Sequence, residues 1–545
     1  MKMRKGKITL GLITATGLTF QLFNPNFPSL SRDSSPNFPE KIYTAFHGVL
    51  RSSRAISTIT LTSLDYKFSL HGLPEESDEY RLKLSEVHLR SAKRILRLCE
   101  ANKGFYVKAG QFVAALRQVP KEYTLTLSSL QDQAVPCSFE VIKEVLIRNL
   151  GQDLPEIFLS LDENPIAAAS IAQVHRAVSK DCQEVAIKIQ YPGLEQKLKV
   201  DTITMSFLSK SIAWFFPEYR FGRLVSEFVK DIALELDFVQ EARNSEKTAI
   251  NFRNNKMVKV PRIFWDLTTK QVLTMQFIQG QKVDDVVYMK NRGIDPIKVA
   301  KVFAEVFAEM IFVHGFVHGD PHPGNILVCP EGRNGFSLVL LDHGIYKQLN
   351  EGFRLNYCQL WKALIILDSS QIQHLADQFG ISMYSRYLPV IFTGRTIDSK
   401  PALGRGLSDG EKRNLKKELK SLKMEDISLF MESLPPDFLR ILRTDGLLRS
   451  TMSKLGASQR VRLLAYAKFA LHGLSSQSDS KSEVSVKVMF SRLKTNMSYL
   501  QLRLTLEVLE LIFRMANTKF LNLVYALYGS IGGVLRGILP LPSWL

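Results

Sequence analysis

A chain of 545 residues has room for a two-lobed catalytic unit, or for two or three compact domains with a sizeable buried core. Hydrophobic residues at 45% and charged residues at 23% exclude a disordered, collagenous or wholly membrane-embedded chain. The 71 Lys and Arg against 53 Asp and Glu leave a formal charge of +18, so an anionic partner is expected: nucleic acid, acidic lipid or nucleotide phosphate. The five cysteines, at 99, 137, 182, 329 and 358, are widely spaced without a C-x-x-C pair, so neither a disulfide framework nor a zinc module is encoded.

The first 32 residues carry Lys2, Arg4, Lys5, Lys7 and Arg32 and no acid, and an apolar stretch from Ile8 to Phe23 follows the basic start. This is the pattern of an organelle presequence or membrane anchor. Thr9, Thr14, Thr16, Thr19 and Gln21 interrupt the stretch, which falls short of the roughly 20 apolar residues of a spanning helix. A Pro/Ser-rich linker, Asn24 to Pro39, comes next. Over 78–150 the apolar residues Leu82, Val87, Leu89, Ile95 and Leu98 recur at helical spacing.

The pattern changes at Pro165. Gln173–Val178 and Glu184–Ile189 read as paired strands around a turn at Lys180–Gln183, and a further strand, Gln271–Ile278, precedes Gly280. One long helical stretch, Leu198–Glu246, lies between them. Val302, Val306, Met310 and Val313 mark an amphipathic helix over Lys301–His314, and His318–Leu341 reads as loop and hairpin. From Asn350 the chain is helical apart from a Ser-rich linker, Ser475–Glu483. An apolar helix at Leu523–Leu535, with Gly529, Gly533 and Gly537 four apart, reads as interfacial or core. The divisions expected are a targeting segment and linker at 1–40, a helical extension at 41–150, an N-lobe at 151–280, a C-lobe at 281–474 and a C-terminal helical segment at 484–545.

Three short elements fall in the order that phosphoryl transfer on a protein-kinase-like fold requires. Lys188 closes Val-Ala-Ile-Lys on a strand, where it can reach nucleotide phosphates as a point charge. In His318-Gly-Asp-Pro-His-Pro-Gly-Asn, Asp320 is placed to orient the proton of an attacking hydroxyl or water, and Asn325 to bind Mg²⁺. In Asp342-His343-Gly344 the carboxylate is placed to meet Mg²⁺. A fourth, Ala167, Ala168, Ala169 and Ser170, sits where a phosphate-covering loop belongs, although by itself it is helix-prone sequence. Taken singly, each has a plain reading as a strand end, a turn or a helix, and His318, Asp320 and His322 offer a rival metal site. Together, in this order, they point to an α+β protein-kinase-like bilobal fold.

At this level the chain resembles the UbiB/ADCK (aarF-domain, ABC1) atypical kinases, closest to the ADCK subtype 1 branch. Their KxGQ signature corresponds to Lys108-Ala109-Gly110-Gln111, their alanine-rich loop to Ala167–Ser170, and their ExD signature to Glu235-Leu236-Asp237. The resemblance implies ATP or ADP and Mg²⁺ as cofactors, with Lys108, Gln111, Glu235 and Asp237 meeting over the site and occluding it. Glu235 and Glu241 are six apart, about 240° around a continuous helix, so they are not expected to point at one site. The resemblance assigns Glu241 to Lys188, and Glu235 with Asp237 to the KxGQ lysine and metal region. Met275 and Phe277 fall in the strand that would recognise adenine by its backbone.

Gly319 stands where many kinases have Arg, no Ala-Pro-Glu follows Gly344, and His343 replaces the usual Phe, which leaves the packing behind Asp342 open. The functions in view are a Mg-dependent atypical kinase or ATPase, a nucleotide-sensing pseudokinase scaffold, and a small-molecule kinase. The resemblance implies an organelle membrane, the mitochondrial inner membrane or alternatively a plastid, and a role in lipid homeostasis. With no zinc knuckle, RNA-binding signature or basic recognition helix, anionic lipid is the expected partner of the positive charge, with a lipid or small molecule as substrate and no nucleic acid.

Overall fold

The computed structural model describes residues 38–396 and 432–475, apart from short breaks at 75, 116–118, 133–135, 216–221, 333–334 and with isolated pieces within 410–430 and 497–504. The apolar stretches Ile8–Phe23 and Leu523–Leu535 lie outside the described residues, as do nearly all of the two linkers. Among the described residues no helix is long and apolar enough to cross a membrane.

The helical extension begins earlier than the apolar periodicity suggests, with α1 (Phe38–Ser69), followed by α2 (Asp78–Asn102) and α3 (Phe105–Ala115). Ser77 caps α2, its hydroxyl accepting the Tyr80 N–H at 3.1 Å, with Asp78 and Glu79 in the positive first turn. Lys103 and Gly104 both have left-handed backbones, φ 53° and 51°, which turn the chain sharply into α3. There Gly110 is a contact residue: a Cβ on it would lie 2.4 Å from Leu130 Cδ1 and 3.1 Å from Cys99 Sγ. Gln111 donates to the Leu130 carbonyl at 2.9 Å. Two residues of the Lys-Ala-Gly-Gln tetrad therefore dock α3 on its neighbours.

Helix α4 (Phe139–Leu150) precedes a sheet of β1 (Phe158–Leu161), β2 (Ala167–Ala168), β3 (Ala172–Ser179), β4 (Glu184–Gln190) and, after an excursion, β6 (Val272–Gln276). All pairings in it are antiparallel, in the order β1-β3-β4-β6 with β2 beside β3. Alternation along β4 decides what each face does. Val185, Ile187 and Ile189 pack with Ile142, Val145 and Leu146 of α4, which ties that helix to the sheet rather than to the extension. Lys188 points to the other face.

The long helix expected over Leu198–Glu246 is three: α5 (Leu194–Phe215), α6 (Gly222–Glu235) and α7 (Phe238–Asn251). The chain breaks at Asp237, whose carboxylate accepts the N–H groups of Val239 and Gln240 at 3.0 and 3.1 Å as the cap of α7. Arg51 of α1 donates to Asp201 of α5 at 3.0 Å, fixing the extension to this lobe.

In the C-lobe, β5 (Val258–Lys259), β7 (Gln281–Lys282), β9 (Ile326–Glu331) and β10 (Gly335–Leu340) form a four-stranded sheet, and β8 (Phe316–His318) pairs with β11 (Tyr346–Gln348). Helices α8 (Pro296–Glu309), α9 (Glu351–Ile366), α10 (Pro436–Lys454) and α11 (Gln459–Ser475) surround an aromatic core. In it Trp361 meets Tyr466 with ring centroids 4.8 Å apart, and Phe312, Phe392 and Phe438 are fully buried. The fold is an α+β kinase-like pair of lobes, with the functional motifs where the lobes meet.

Gly110→Ala is expected to overpack α3 against Leu130 and Cys99 and to destabilise the extension by about 1–3 kcal/mol. Hydrogen exchange should show faster opening of Phe105–Ala115, with the four-stranded sheet unaffected.

Candidate active site

On β4, Lys188 reaches the first turn of α7, where its Nζ lies 2.7 and 2.9 Å from the two Glu241 carboxylate oxygens. Asp342, just after β10, brings Oδ2 to 3.6 Å from the same nitrogen. Glu241 Oε1 also accepts the His343 N–H at 3.4 Å, so strand lysine, helix carboxylate and the Asp-His-Gly turn form one network. Asp342 Oδ1 accepts the Gly344 N–H at 2.9 Å. His343 fits the place of an apolar residue: its ring bonds the Leu340 carbonyl at 3.1 Å and the Tyr346 hydroxyl at 3.0 Å. Burial pushes its pKa down to about 3, and it stays neutral.

Asp320 follows β8 in a loop braced from both sides. Its N–H donates to His318 Nδ1 at 3.0 Å, and Asn325 Nδ2 donates to its carbonyl at 3.1 Å. Thr444 of α10 bonds the His318 carbonyl at 3.3 Å. A Cβ at Gly319 would lie 2.6 Å from Ile345 Cγ2, so the arginine common at this position in kinases is excluded by sterics.

Lys108 enters from the extension. Its ammonium is 2.9 Å from Glu235 Oε1 and 3.5 Å from Asp320 Oδ2, so α3 closes the cleft. The argument that Glu235 and Glu241 cannot share a site is corrected here, because it assumed a continuous helix. With the break at Asp237 they converge: a Cβ on Gly344 would be 3.4 Å from Glu235 Cγ and 3.5 Å from Glu241 Oε2. Asp237 itself is a helix cap rather than a partner of Lys108, and Gln111 faces Leu130.

Ala167 and Ala168 are strand rather than helix, paired with Val174 and Gln173. The Ala169 N–H donates to the Ala172 carbonyl at 2.8 Å, which makes Ser170 and Ile171 the tip of a tight hairpin that Ala169 flanks. Met275 stands in the ladder opposite Ala186. The Phe277 N–H is bonded to the Glu184 carbonyl at 3.0 Å, so that amide is not open to a base, and the Arg176 guanidinium lies 4.7 Å over its ring.

Burial opposes every charge in the cleft, and the partners decide each outcome. Glu241 is lifted by burial to about 7, with Lys188 opposing. Glu235 is also raised by burial, partly offset by Lys108. For Asp342, burial is outweighed by Lys188, the Gly344 amide and Lys108, and the pKa falls. Asp320 is likewise held down against burial, by Lys108 and then Arg443. The Asp342 carboxylate and the Asn325 side-chain carbonyl are hard oxygens of the kind that share Mg²⁺ with phosphates and water. The Leu341 N–H bonds the Asn325 backbone carbonyl at 2.9 Å, which joins the two segments, and the chemistry of these two donors fits the ion. Among the described residues no group of three His, Cys, Asp or Glu side chains could hold a metal, so the rival His318–Asp320–His322 site is not assembled.

Sequence reasoning missed Asp231, Arg440 and Arg443. Arg440 Nη2 and Arg443 Nη1 of α10 lie 2.5 and 3.4 Å from the two oxygens of Asp231 on α6. The Arg443 guanidinium also lies 4.9 Å over Phe112 of α3. No local signal joins residues more than 200 positions apart.

A strand lysine paired to a helix carboxylate, followed by the Asp320 and Asp342 loops, defines a protein-kinase-like protein. The model of the ABC1 atypical kinase-like domain matches residues 129–376. The chain is 37% identical to AarF domain-containing protein kinase 1 of Gallus gallus, over 80% of this chain and 85% of that one. Its counterpart in Xenopus laevis is 40% identical, over 75% and 79%, and AarF domain-containing kinase 1 of Drosophila melanogaster 34%, over 76% and 81%. The chain belongs to the ABC1/AarF family of atypical kinase-like proteins.

Lys188→Met leaves Glu241 buried without its cation and is expected to cost about 3–5 kcal/mol at pH 8. The folded pKa of Glu241 lies above its ordinary 4.5, so its contribution is most favourable at low pH and is lost as pH rises through about 7. Denaturant unfolding should find the variant's deficit smaller at pH 6 than at pH 8.

Proposed function

We propose that the chain binds ATP with Mg²⁺ between its lobes and transfers or hydrolyses the terminal phosphoryl group. The observation that carries this reading is the Lys188–Glu241–Asp342 network with Asp320 in the adjoining loop. Lys188, oriented by Glu241, would neutralise nucleotide phosphate charge, while Asp342 and Asn325 would hold Mg²⁺, which supplies charge neutralisation at the transferred group. Asp320 would orient the proton of the attacking hydroxyl or water. While Lys108 sits 3.5 Å from it, Asp320 is a poor proton acceptor, so turnover requires α3 to withdraw.

The same Lys108 contact favours a second reading, a nucleotide-sensing scaffold without phosphotransfer. A small-molecule kinase is a narrower form of the first. The cellular setting we propose is the mitochondrial inner membrane, with a plastid as the alternative, and a role in lipid homeostasis. The +18 charge and the acid-free basic start support attraction to anionic lipid, at roughly 1 kcal/mol for each Lys or Arg near the surface.

Mg-ATP at a hundredfold its dissociation constant should stabilise the protein by about 2.7 kcal/mol. Asp342→Asn should lose this thermal shift, whereas Asp320→Asn should keep it and lose turnover. Absence of any shift in a folded wild-type sample would sink the nucleotide reading, and rescue of deficient cells by Asp320→Asn would select the scaffold. Sedimentation with acidic vesicles should be salt-sensitive, and indifference to acidic lipid would remove the membrane proposal.

A further inference from the structure

Beside Asp320 lies a basic cradle that the nucleotide reading does not use. It is made by Arg440 and Arg443, on one face of α10 three residues apart. Their side chains are 9% and 11% exposed, and both point at Asp231, which is itself 8% exposed. Glu227, one turn before Asp231, stands further off, 3.8 Å from Arg440. Arg443 also acts on the centre, since its field is one of those that hold Asp320 ionised.

The pairing is incomplete. Arg440 Nη1 and Arg443 Nε are buried and donate to nothing among the described residues. Guanidinium groups have no acceptor capacity, so each buried donor calls for an oxygen from elsewhere. A carboxylate presents two oxygens in a plane and meets Arg440 and Arg443 with one each. A phosphate group presents three outer oxygens and suits a pair of arginine forks better.

Asp231 and Glu235 are four apart on α6 and share a face. Asp231 is seated on the arginines as Glu235 is seated on Lys108. Turnover requires α3 to withdraw; if α6, joined to it by the Lys108–Glu235 pair, withdraws with it, Asp231, Glu235 and Lys108 leave together. Arg440 and Arg443 stay with the C-lobe and face the opened space next to Asp320.

We propose that Arg440 and Arg443 form a binding site for a phosphate group on the acceptor molecule, and that Asp231 fills it in the closed arrangement as a built-in stand-in. This inference rests on the reading of Asp320 as the acceptor-side group, and it narrows the acceptor to a phosphate-bearing molecule, either a free metabolite or a lipid headgroup. It also accounts for the bare Gly319: positive charge beside Asp320 comes from α10 instead of from the preceding residue.

The test uses the full chain and titrates inorganic phosphate at constant ionic strength. Asp231→Asn should bind phosphate about tenfold more tightly than wild type, and adding Arg443→Gln to it should abolish the gain. Equal phosphate affinity in all three, or a gain that survives Arg443→Gln and so belongs to Lys188, would overturn the proposal. If Asp231→Asn does not fold, hydrogen exchange on the unmodified chain gives the answer. Phosphate, but not chloride, should then speed exchange in Gly222–Glu235, and Arg443→Gln should remove the effect; no difference between the two anions would overturn the proposal. Phosphatidic acid vesicles against soluble glycerol phosphate, with phosphatidylcholine vesicles as control, separate the two sources. A Mg-ATP thermal shift on every sample keeps the readings apart. Its absence alongside the phosphate gain would reject the nucleotide site and leave the cradle standing.

Discussion

Everything in the cleft depends on placing four carboxylates, two of them buried (Glu235, Glu241) and two partly exposed (Asp320, Asp342), around two lysines. Isolated, none of these charges could be buried, since desolvating an ion costs several kcal/mol even after the protein relaxes. Lys188 answers Glu241 and Asp342, and Lys108 answers Glu235 and Asp320. The carboxylates still exceed the lysines: burial lifts Glu241 to about 7, and the charge of Asp342 adds to that lift. Each lysine is thus held between one carboxylate from the N-terminal half of the cleft and one from the C-lobe. The two ion-pair sets pin together segments that are far apart in sequence.

That arrangement explains why the extension is built so rigidly. One side chain on α3, Lys108, carries its electrostatic work, but the ammonium must sit within about 3 Å of a carboxylate to be worth more than a screened surface charge. Gly110 permits the close approach of α3 to Leu130 and Cys99, and Gln111 bonds the Leu130 carbonyl. Arg51 ties α1 to Asp201, and the left-handed pair Lys103 and Gly104 aims α3 at the cleft. Three of the four residues in the tetrad therefore serve two different ends, docking and charge, which local sequence cannot distinguish.

Legibility from sequence followed the range of the interaction. The β3–β4 hairpin, β6 and the Asp320 and Asp342 loops were legible because strand alternation and loop spacing are local. The sharing of one centre by Glu235 and Glu241 was not. It depends on a helix break at Asp237, and an aspartate that caps a helix is indistinguishable in sequence from one that binds a cation. Helix α1 lies within the helical extension expected at 41–150, but its own bounds were not legible, because part of its apolar content, Phe46, Leu61 and Phe68, faces outward, which blurs the periodicity of its buried stripe. The packing of α4 on the N-lobe sheet was not legible for a related reason. Its apolar face is plain in the sequence, but which sheet covers it is a tertiary fact.

Gly319 shows how the two levels join. Read along the chain, it is a substitution: a glycine stands where many kinases place an arginine beside the base. Read in space, the position is walled off by Ile345, because the β8–β11 ladder brings the residue after Gly344 against it. The tight Asp-His-Gly turn, pinned by Glu241 and Asp342, fixes that ladder, so the geometry that holds the metal-side carboxylate is the one that excludes the arginine. Charge beside Asp320 must then arrive from a separate element. Helix α10 supplies it through Arg443, which is braced on Phe112 of α3 and on Asp231 of α6. The same guanidinium thereby adds to Lys108 in supporting the ionised state of Asp320 and helps to close the helices above it, so in this fold the electrostatics of the base and the seating of the extension share a side chain.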